Sequence, residues 1–228
     1  MLTSNTDTSF SALEIKANYT CNSRCIYCCA GNRSGQRTMT HEEIAANIDF
    51  FIDTYAIAEV CMSGGEPTVH PDFLPNLEFI RSRELKTYLH TNAIKFHDAA
   101  LAKTCASLVD RVLVGLSFHD ADLCDYLTGT GATFDKRLSG IANLMAADIP
   151  LRTNTVILTD NYKCLPEVAR VICSLNVSRS LLTFPFFFEF NPQQVARFIP
   201  PSFDVVHPYL SRAIDIFRNH DIEVSLQG

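Results

Sequence analysis

The sequence Cys21-Asn-Ser-Arg-Cys25-Ile-Tyr-Cys28, followed directly by Cys29, is the most informative stretch of this chain. It comes after a run of alternating apolar residues that begins at Leu13. Thiolates this close together need a metal or a metal cluster to take up their negative charge. A structural zinc site takes four protein ligands, whereas a set of three leaves one coordination position open for chemistry. Because iron–sulfur clusters are held by cysteine runs of similar density, the stretch predicts a reactive cluster site.

The composition is that of a globular protein. Of the 228 residues, 47% are hydrophobic and 19% are charged, which suits one sizeable core. The net charge of −6 argues against a broad nucleic-acid-binding surface. No apolar run approaches the ~20 residues that cross a bilayer. Nine cysteines without a secretion signal indicate a reducing compartment. We therefore expect a cytoplasmic protein, with no membrane partner and no nucleic-acid partner.

Short β-rich runs alternate with amphipathic helical stretches along the whole chain. The runs lie at 13–18, 56–62, 86–90, 111–118, 150–158, 180–188 and 221–228. This alternation predicts an α/β fold of parallel βαβ units, and six or seven units favour a barrel or an incomplete barrel over a flat sheet. Thr40 and Glu43 form a capping box at the start of the first helix, and Pro208 is expected in the first turn of the last helix.

We expect one domain over residues 12–228, preceded by a flexible leader over residues 1–11. The last run has no element after it, which is compatible with a chain truncated at its C-terminus.

Polar and glycine residues follow the predicted strands, where ligands bind in parallel α/β folds. In chain order they are Gly64-Gly65-Glu66-Pro67, Thr91-Asn92, Ser117 and His119, and Arg152 with Asn154 on the fifth strand. The glycine pair allows the backbone to approach a charged ligand closely. Glu66 lies where a carboxylate accepts a hydrogen bond from an ammonium group.

The three-cysteine motif, with Tyr27 before its last cysteine, and the Gly64–Pro67 element closely resemble the radical S-adenosylmethionine (SAM) superfamily, in particular the core domains of MoaA-like and peptide-maturase-like members. The resemblance implies a partial (β/α)6 TIM-like barrel of parallel strands in a single domain. It implies that Cys21, Cys25 and Cys28 hold a [4Fe–4S] cluster whose fourth iron binds SAM. The cluster then reductively cleaves SAM to a 5′-deoxyadenosyl radical, which abstracts hydrogen from a peptide or small-molecule substrate.

The resemblance also assigns SAM contacts and candidate contacts to the substrate or to the SAM carboxylate. The SAM contacts are Tyr27, Gly64, Gly65, Glu66, Ser117 and Asn154, and the candidate contacts are Thr91, His119 and Arg152. Ala93 stands where related sequences have glycine in a Thr-Asn-Gly turn, which puts the geometry of that turn in question. An electron donor such as a flavodoxin or a ferredoxin is implied, and no residue is assigned a catalytic role.

Three alternatives stay open. Cys29 competes with Cys28 as a ligand, because Cys25-x3-Cys29 is also a feasible pair. The radical reaction can act on a cofactor precursor or a nucleobase instead. A non-catalytic cysteine-rich module would hold zinc through Cys21, Cys25, Cys28 and Cys29, which leaves the Gly64–Pro67 element unexplained. The scattered remaining cysteines are expected to be small buried apolar residues. They are Cys61, Cys105, Cys124, Cys164 and Cys173.

Overall fold

A computed structural model describes residues 11–29, 37–186 and 196–227. Within them one sheet contains seven strands that pair in chain order, and each neighbouring pair is parallel. The strands are β1 Ala12–Asn18, β2 Glu59–Gly64, β3 Lys86–Thr91, β4 Arg111–Gly115, β5 Leu151–Val156, β6 Arg179–Thr183 and β7 Glu223–Gln227. In the part of the chain described, β1 and β7 are the two edges, so the sheet is an unclosed, partial barrel. The predicted α/β fold is confirmed, with the terminal run forming the seventh strand.

Helices cross over between successive strands. Their bounds are α1 His41–Tyr55, α2 Phe73–Ser82, α3 Ala99–Cys105, α4 Ala121–Thr128, α5 Phe134–Ala146, α6 Leu165–Ser174 and α7 Phe203–Arg218. Short 3₁₀ turns lie at Pro67–Val69, Ile94–His97 and Tyr162–Cys164. Helix α4 was not predicted from the sequence. Asp120 caps it, because its side chain accepts a hydrogen bond from the Leu123 backbone N–H at 2.8 Å.

Some local expectations hold and others need correction. The capping box at α1 is confirmed, since Thr40 and Glu43 each accept from the other's backbone N–H, at 3.3 and 2.9 Å. The position expected for Pro208 is wrong: α7 begins at Phe203, so the proline lies inside the helix. The apolar face of α7 is buried, and this packing offsets the backbone hydrogen bond that a proline cannot donate. The sixth strand ends at Thr183, and residues 187–188 of its predicted span lie outside the described part.

Alternate residues of β1 to β6 face two different surroundings. One set, such as Ile15, Val60 and Leu89, is fully or almost fully buried and packs with the helices in one core. The other set forms the surface that we call the polar face. One register row of this face contains Glu14, Cys61, Tyr88 and Arg111, and the next contains His90, Leu113, Arg152, Arg179 and Glu223. The sheet therefore places charged groups on the side opposite its apolar core.

The nine cysteines all lie in the described residues and are all free thiols. Of the five scattered ones, Cys61, Cys105 and Cys124 are buried, as expected, whereas Cys164 and Cys173 are half-buried. No helix in the described part of the chain has the length and apolar character needed to cross a membrane.

Candidate active site

The segment that we call the cysteine loop, residues 21–28, connects β1 toward α1 at the carboxyl edge of the sheet. Its three thiols lie close enough to influence one another's ionisation. The pKa of Cys25 is raised to about 12, mainly by burial, and the neighbouring Cys28 and Cys21 act in the same direction. Burial also raises the pKa of Cys21, where Cys28 is again one of the contributors. The three thiols therefore lie within electrostatic range of one another, and their role as cluster ligands stays a prediction.

The donor set fits an iron–sulfur cluster. Three free thiols on one short loop supply soft ligands of the kind that such clusters take. Across residues 11–29, 37–186 and 196–227, no three His, Cys, Asp or Glu side chains converge on a point where they would hold one metal ion. A cubane in which each cysteine binds a different iron requires no such point.

The cysteine loop is docked on the end of α4. The backbone N–H groups of Arg24 and Ile26 donate to the carbonyls of Thr128 and Leu127, at 2.8 and 3.0 Å. Gly129, with φ +58°, follows directly, and a Cβ there would lie 2.6 Å from the Arg24 carbonyl oxygen. The helix that the sequence reasoning missed is thus the support on which the loop lies.

The glycine pair at the end of β2 packs against the chain that enters the cysteine loop. Gly65 and Glu66 donate backbone hydrogen bonds to the carbonyls of Asn18 and Thr20, at 2.8 and 3.0 Å. A Cβ on Gly64 would lie 2.3 Å from the Asn18 oxygen, and one on Gly65 would lie 2.3 Å from the Thr20 oxygen. Glycine is therefore required here by a close approach of protein backbone. The predicted SAM contacts of both glycines stay predictions.

The carboxylate of Glu66 is buried, with 1% of the residue exposed, and it accepts four hydrogen bonds. The donors are the Thr68 hydroxyl at 2.7 Å, the Thr68 N–H at 3.2 Å, the Thr91 hydroxyl at 2.6 Å and the Asn92 N–H at 2.7 Å. Burial raises the pKa of this carboxyl, and the hydrogen bonds from its donors act in the opposite direction. In this geometry Glu66 joins the end of β2 to the end of β3. Its predicted contact with an ammonium group of SAM stays a prediction, as does that of Thr91.

The turn after β3 contacts the cysteine loop directly. The Asn92 side-chain amide donates to the Asn22 side-chain oxygen at 2.7 Å and lies 3.8 Å from the Cys21 sulfur. Ala93 has φ +62° and ψ 1°, so an alanine adopts the left-handed conformation that favours glycine. Ala93 therefore holds this turn in a left-handed conformation at the cost of local strain.

Arg137, on α5, was not identified from the sequence, although it is among the largest fully buried side chains described, with 2% exposed. Its guanidinium donates to the Ser23 hydroxyl at 2.6 Å, to the Asn92 carbonyl at 3.3 Å and to the Thr133 hydroxyl at 3.3 Å. It also lies 5.6 Å from the centre of the Phe118 ring. Its positive charge lowers the pKa of Cys25 more than any other group does. Burial raises that pKa by more than Arg137 lowers it.

One signal in the sequence indicates this residue. Arg137 lies on the same face of α5 as Gly140, Ile141 and Leu144, which are buried. A charged residue on the apolar face of a helix indicates a buried polar contact. The sequence does not say which distant residue provides that contact.

Ser117 and Tyr27, both predicted SAM contacts, lie against each other. The Ser117 hydroxyl accepts from the Val156 backbone N–H at 2.9 Å and is also hydrogen-bonded to the Tyr27 hydroxyl. Burial raises the pKa of Tyr27 well above its ordinary value. Asn161, a buried residue that the sequence reasoning missed, donates to the Ser117 carbonyl at 2.9 Å. These contacts join the ends of β4 and β5 to the cysteine loop.

Arg152 and Asn154 lie on the polar face and not among the buried contacts of the loop. The Arg152 Nε donates to the Tyr88 hydroxyl at 3.0 Å, and the Asn154 side-chain oxygen accepts from the Thr183 hydroxyl at 2.7 Å. Their predicted contacts with SAM or substrate stay predictions.

His119, after β4, has its Nε2 atom 3.0 Å from a carboxylate oxygen of Asp120. Its buried Nδ1 atom has no hydrogen-bond partner among the described residues. Its candidate role also stays a prediction.

Comparison with known proteins places this site in a family. The model of the radical SAM superfamily matches residues 15–172, which is more than half of the chain. Three curated relatives illustrate the range. The AdoMet-dependent heme synthase of Methanosarcina barkeri is 28% identical over 146 residues, covering 63% of this chain and 41% of its own length. The mycofactocin maturase MftC of Mycobacterium tuberculosis is 27% identical over 154 residues, covering 66% of this chain and 39% of MftC. A probable GTP 3′,8-cyclase of Methanocella arvoryzae is 31% identical over 156 residues, covering 65% of this chain and 48% of the cyclase.

Solved structures share the fold. SuiB of Streptococcus suis, crystallised with S-adenosylmethionine, has a TM-score of 0.77 at 16% identity, over 97% of this chain and 51% of SuiB. The structure of native anSMEcpe with bound AdoMet has a TM-score of 0.71 at 15% identity, over 94% of this chain and 63% of the anSMEcpe chain.

The fold and the cysteine loop thus define a radical SAM core, and the chain belongs to the radical SAM superfamily. The [4Fe–4S] cluster and SAM are the cofactors that this superfamily uses, which confirms the predicted pair at the level of the family. The chain spans about two fifths to one half of the length of these curated relatives.

Proposed function

We propose that this chain is the catalytic core of a radical SAM enzyme, with Cys21, Cys25 and Cys28 as the cluster ligands and SAM bound at the carboxyl edge of the sheet. The observation that carries the proposal is the contact between the Gly64–Glu66 turn and Asn18 and Thr20, which lead directly into the cysteine loop, by backbone hydrogen bonds and close backbone packing. The family match supports the same assignment.

When bound, the cluster and SAM supply a one-electron cleavage of SAM that leads to hydrogen abstraction from the substrate. The protein's own residues provide placement. Asn92 and Ser23 fix the loop around Cys21, because one lies next to its sulfur and the other donates a backbone N–H to it at 3.3 Å. Tyr27 and Ser117 close the site on the side of β4 and limit the access of water. Glu66 holds the turn after β3 through its hydrogen bonds with Thr91 and Asn92.

We further propose that the substrate is a peptide or a small molecule that binds against the polar face. Arg152 is exposed there, and its Nε is held by Tyr88, so the guanidinium has a fixed direction. A fixed guanidinium suits a carboxylate or phosphate group on the substrate. SuiB, whose fold this chain shares, has been crystallised with its precursor peptide SuiA. An electron donor such as a flavodoxin or a ferredoxin completes the proposed cycle.

A second candidate is the modification of a cofactor precursor or a nucleobase. The similarity to a probable GTP 3′,8-cyclase and to a heme synthase favours it. The two candidates separate in one assay: SAM cleavage by the reduced protein is compared with no substrate, with GTP and with a panel of acidic peptides. Stimulation by GTP alone would replace the peptide proposal.

The test of the core proposal is anaerobic reconstitution with iron and sulfide, followed by dithionite and SAM. The wild type should bind about four irons and form 5′-deoxyadenosine, and Cys25→Ala should lose both. Cys173→Ala, a half-buried thiol on α6, is the matched control and should retain both. Cys29→Ala tests the competing ligand and should also retain both. A single bound zinc, or iron that never cleaves SAM, would refute the proposal.

A further inference from the structure

Arg137 is a buried cation without a carboxylate partner in the described part of the chain. Its three hydrogen-bond acceptors are two hydroxyls and one carbonyl, all of them neutral. Burying a charge in this way is costly unless an opposite charge lies nearby. The other arginines that form ion pairs in that part, such as Arg83 with Asp49, have much more exposed side chains.

The residues that contact the Arg137 guanidinium indicate where a negatively charged partner would lie. Ser23 lies between Cys21 and Cys25 in the sequence, and its hydroxyl accepts from Arg137 while its backbone N–H donates to the Cys21 sulfur. The Asn92 carbonyl accepts from the same guanidinium, and the Asn92 amide lies next to the Cys21 sulfur. Arg137 thus approaches Cys21 through two separate residues. The Glu66 carboxylate accepts from the Asn92 backbone N–H and three other donors, and Arg137 is not among them.

We propose that Arg137 is the buried counter-charge and positioning residue of the cluster: its guanidinium orders the cysteine loop through Ser23 and Asn92, and its charge stabilises the more negative, reduced state of the cluster. This inference rests on the proposed function, because the thiolate-bound cluster is the anion that completes the pair. Reduction adds one electron to the cluster, so a nearby fixed positive charge favours the reduced form.

Two properties of arginine suit this position. The guanidinium is always charged, and its planar fork reaches two acceptors that lie in different directions. Lysine would retain the charge but lose the simultaneous contacts with Ser23 and Asn92. Methionine would fill much of the volume without charge or donors. The charge and the positioning can therefore be tested separately.

The experiment is a redox titration of the reconstituted cluster, followed by EPR of its reduced state, in the wild type, Arg137→Met, Arg137→Gln, Arg137→Lys and Ser23→Ala. At a fixed solution potential, both neutral variants should show at least a tenfold lower ratio of reduced to oxidised cluster, equivalent to a shift of about −59 mV. Arg137→Lys and Ser23→Ala should change that ratio less than threefold. The control Arg83→Met removes a surface charge and should leave the ratio unchanged.

Hydrogen exchange of the protein without cluster tests positioning independently of any activity. Amides of the cysteine loop should exchange at least tenfold faster in Ser23→Ala and Arg137→Lys than in the wild type, and at the wild-type rate in Arg83→Met. Unchanged potentials in the neutral variants would overturn the charge role, and unchanged exchange would overturn the positioning role.

If neither neutral variant folds, as judged by far-ultraviolet circular dichroism, hydrogen exchange in Ser23→Ala and Arg137→Lys decides the positioning role. The charge role is then decided by the ratio of reduced to oxidised cluster in Arg137→Lys, and a tenfold change with the charge retained would overturn it. A wild type that binds no cluster refutes the proposed function itself, whereas a loaded wild type with unresponsive variants refutes this inference alone.

Discussion

The carboxyl edge of the sheet and the polar face are both rich in polar side chains, but they differ in how these side chains are solvated. At the carboxyl edge, Glu66 is 1% exposed and accepts four hydrogen bonds from protein groups. On the polar face, the side chains of Arg179 and Glu223 form an ion pair while remaining 66% and 65% exposed.

This difference in burial decides how much each contact contributes to the free energy of unfolding. A buried group that loses its partner keeps its full desolvation cost, about 1–3 kcal/mol for a neutral group and more for a charge. An exposed ion pair contributes about 0–1 kcal/mol, because water replaces the lost partner. The carboxyl edge is therefore built for fixed placement of reactive groups, and the polar face tolerates substitution and suits substrate recognition.

The largest expected effect is that of Glu66→Ala, which leaves two backbone N–H groups and two hydroxyls without their shared acceptor. We expect the free energy of unfolding to fall by about 4 kcal/mol, as for other broken buried charge networks. Urea denaturation at neutral pH measures it. Glu223→Ala is the matched control on the polar face and should cost at most about 1 kcal/mol. Equal losses in the two variants would show that the carboxyl edge is not desolvated as described.

Gly65→Ala should have the next largest effect. Its Cβ would lie 2.3 Å from the Thr20 carbonyl oxygen, so the chain entering the cysteine loop must move. We expect a loss of about 2 kcal/mol, as for other overpacked sites, together with a lower iron content after reconstitution.

Gly115→Ala, on β4, is the control for Gly65→Ala. A Cβ at Gly115 meets nothing within 4 Å, so its unfolding free energy should stay within about 0.5 kcal/mol of the wild type. A reversed order of the two glycine variants would contradict the packing described here.

His90 should make the free energy of unfolding depend on pH. This residue lies on the polar face, one position before the end of β3. Burial lowers the pKa of His90, with Glu14 acting in the opposite direction. As pH falls through the ordinary histidine pKa, the unfolded chain takes up a proton before the native protein does. Stability is therefore complete above that value and declines below it, toward the lower native pKa.

His90→Gln should remove that part of the decline, measured as the difference in unfolding free energy between pH 7.5 and pH 5. His207→Gln, an exposed histidine on α7, is the control and should retain the wild-type difference. An unchanged difference in His90→Gln would show that His90 does not contribute.

The smallest effects are expected at two alanines with left-handed backbone, Ala56 with φ 52° and Ala93 with φ 62°. Ala56 is exposed at the end of α1, so Ala56→Gly should relieve strain and add about 0.5 kcal/mol of stability. Ala93 is fully buried, so Ala93→Gly also loses a packed methyl group worth about 0.8 kcal/mol, and its net effect should be near zero. Thermal denaturation of both variants measures the difference, and a larger gain at Ala93 would contradict it.

Much of this protein could be predicted from short stretches of its sequence. The alternation of strands and helices predicts a parallel α/β sheet, because a helix between two strands is the usual crossover that joins parallel neighbours. The spacing of Cys21, Cys25 and Cys28 predicted the cluster. The glycine pair at the end of β2 was predicted to let the backbone approach a charged ligand, whereas in the structure it lies against the backbone of Asn18 and Thr20. These features are local: the residues that form each of them lie within one turn or one element. The predicted contacts of Ser117, Asn154 and Arg152 with SAM or substrate stay predictions.

Only the tertiary structure decided how these local features are held together. The Glu66 carboxylate receives its donors from the next strand end, and the cysteine loop lies on α4, a helix that the sequence pattern did not indicate. Arg137 and Ser23 are 114 residues apart in the chain, yet their side chains meet beneath the loop. The sequence around a buried charge does not identify its partner, because the packing of distant elements decides which residue lies next to it. The sequence alone therefore determined the family and predicted the cluster ligands, and the packing of the chain determined which buried groups surround the cysteine loop.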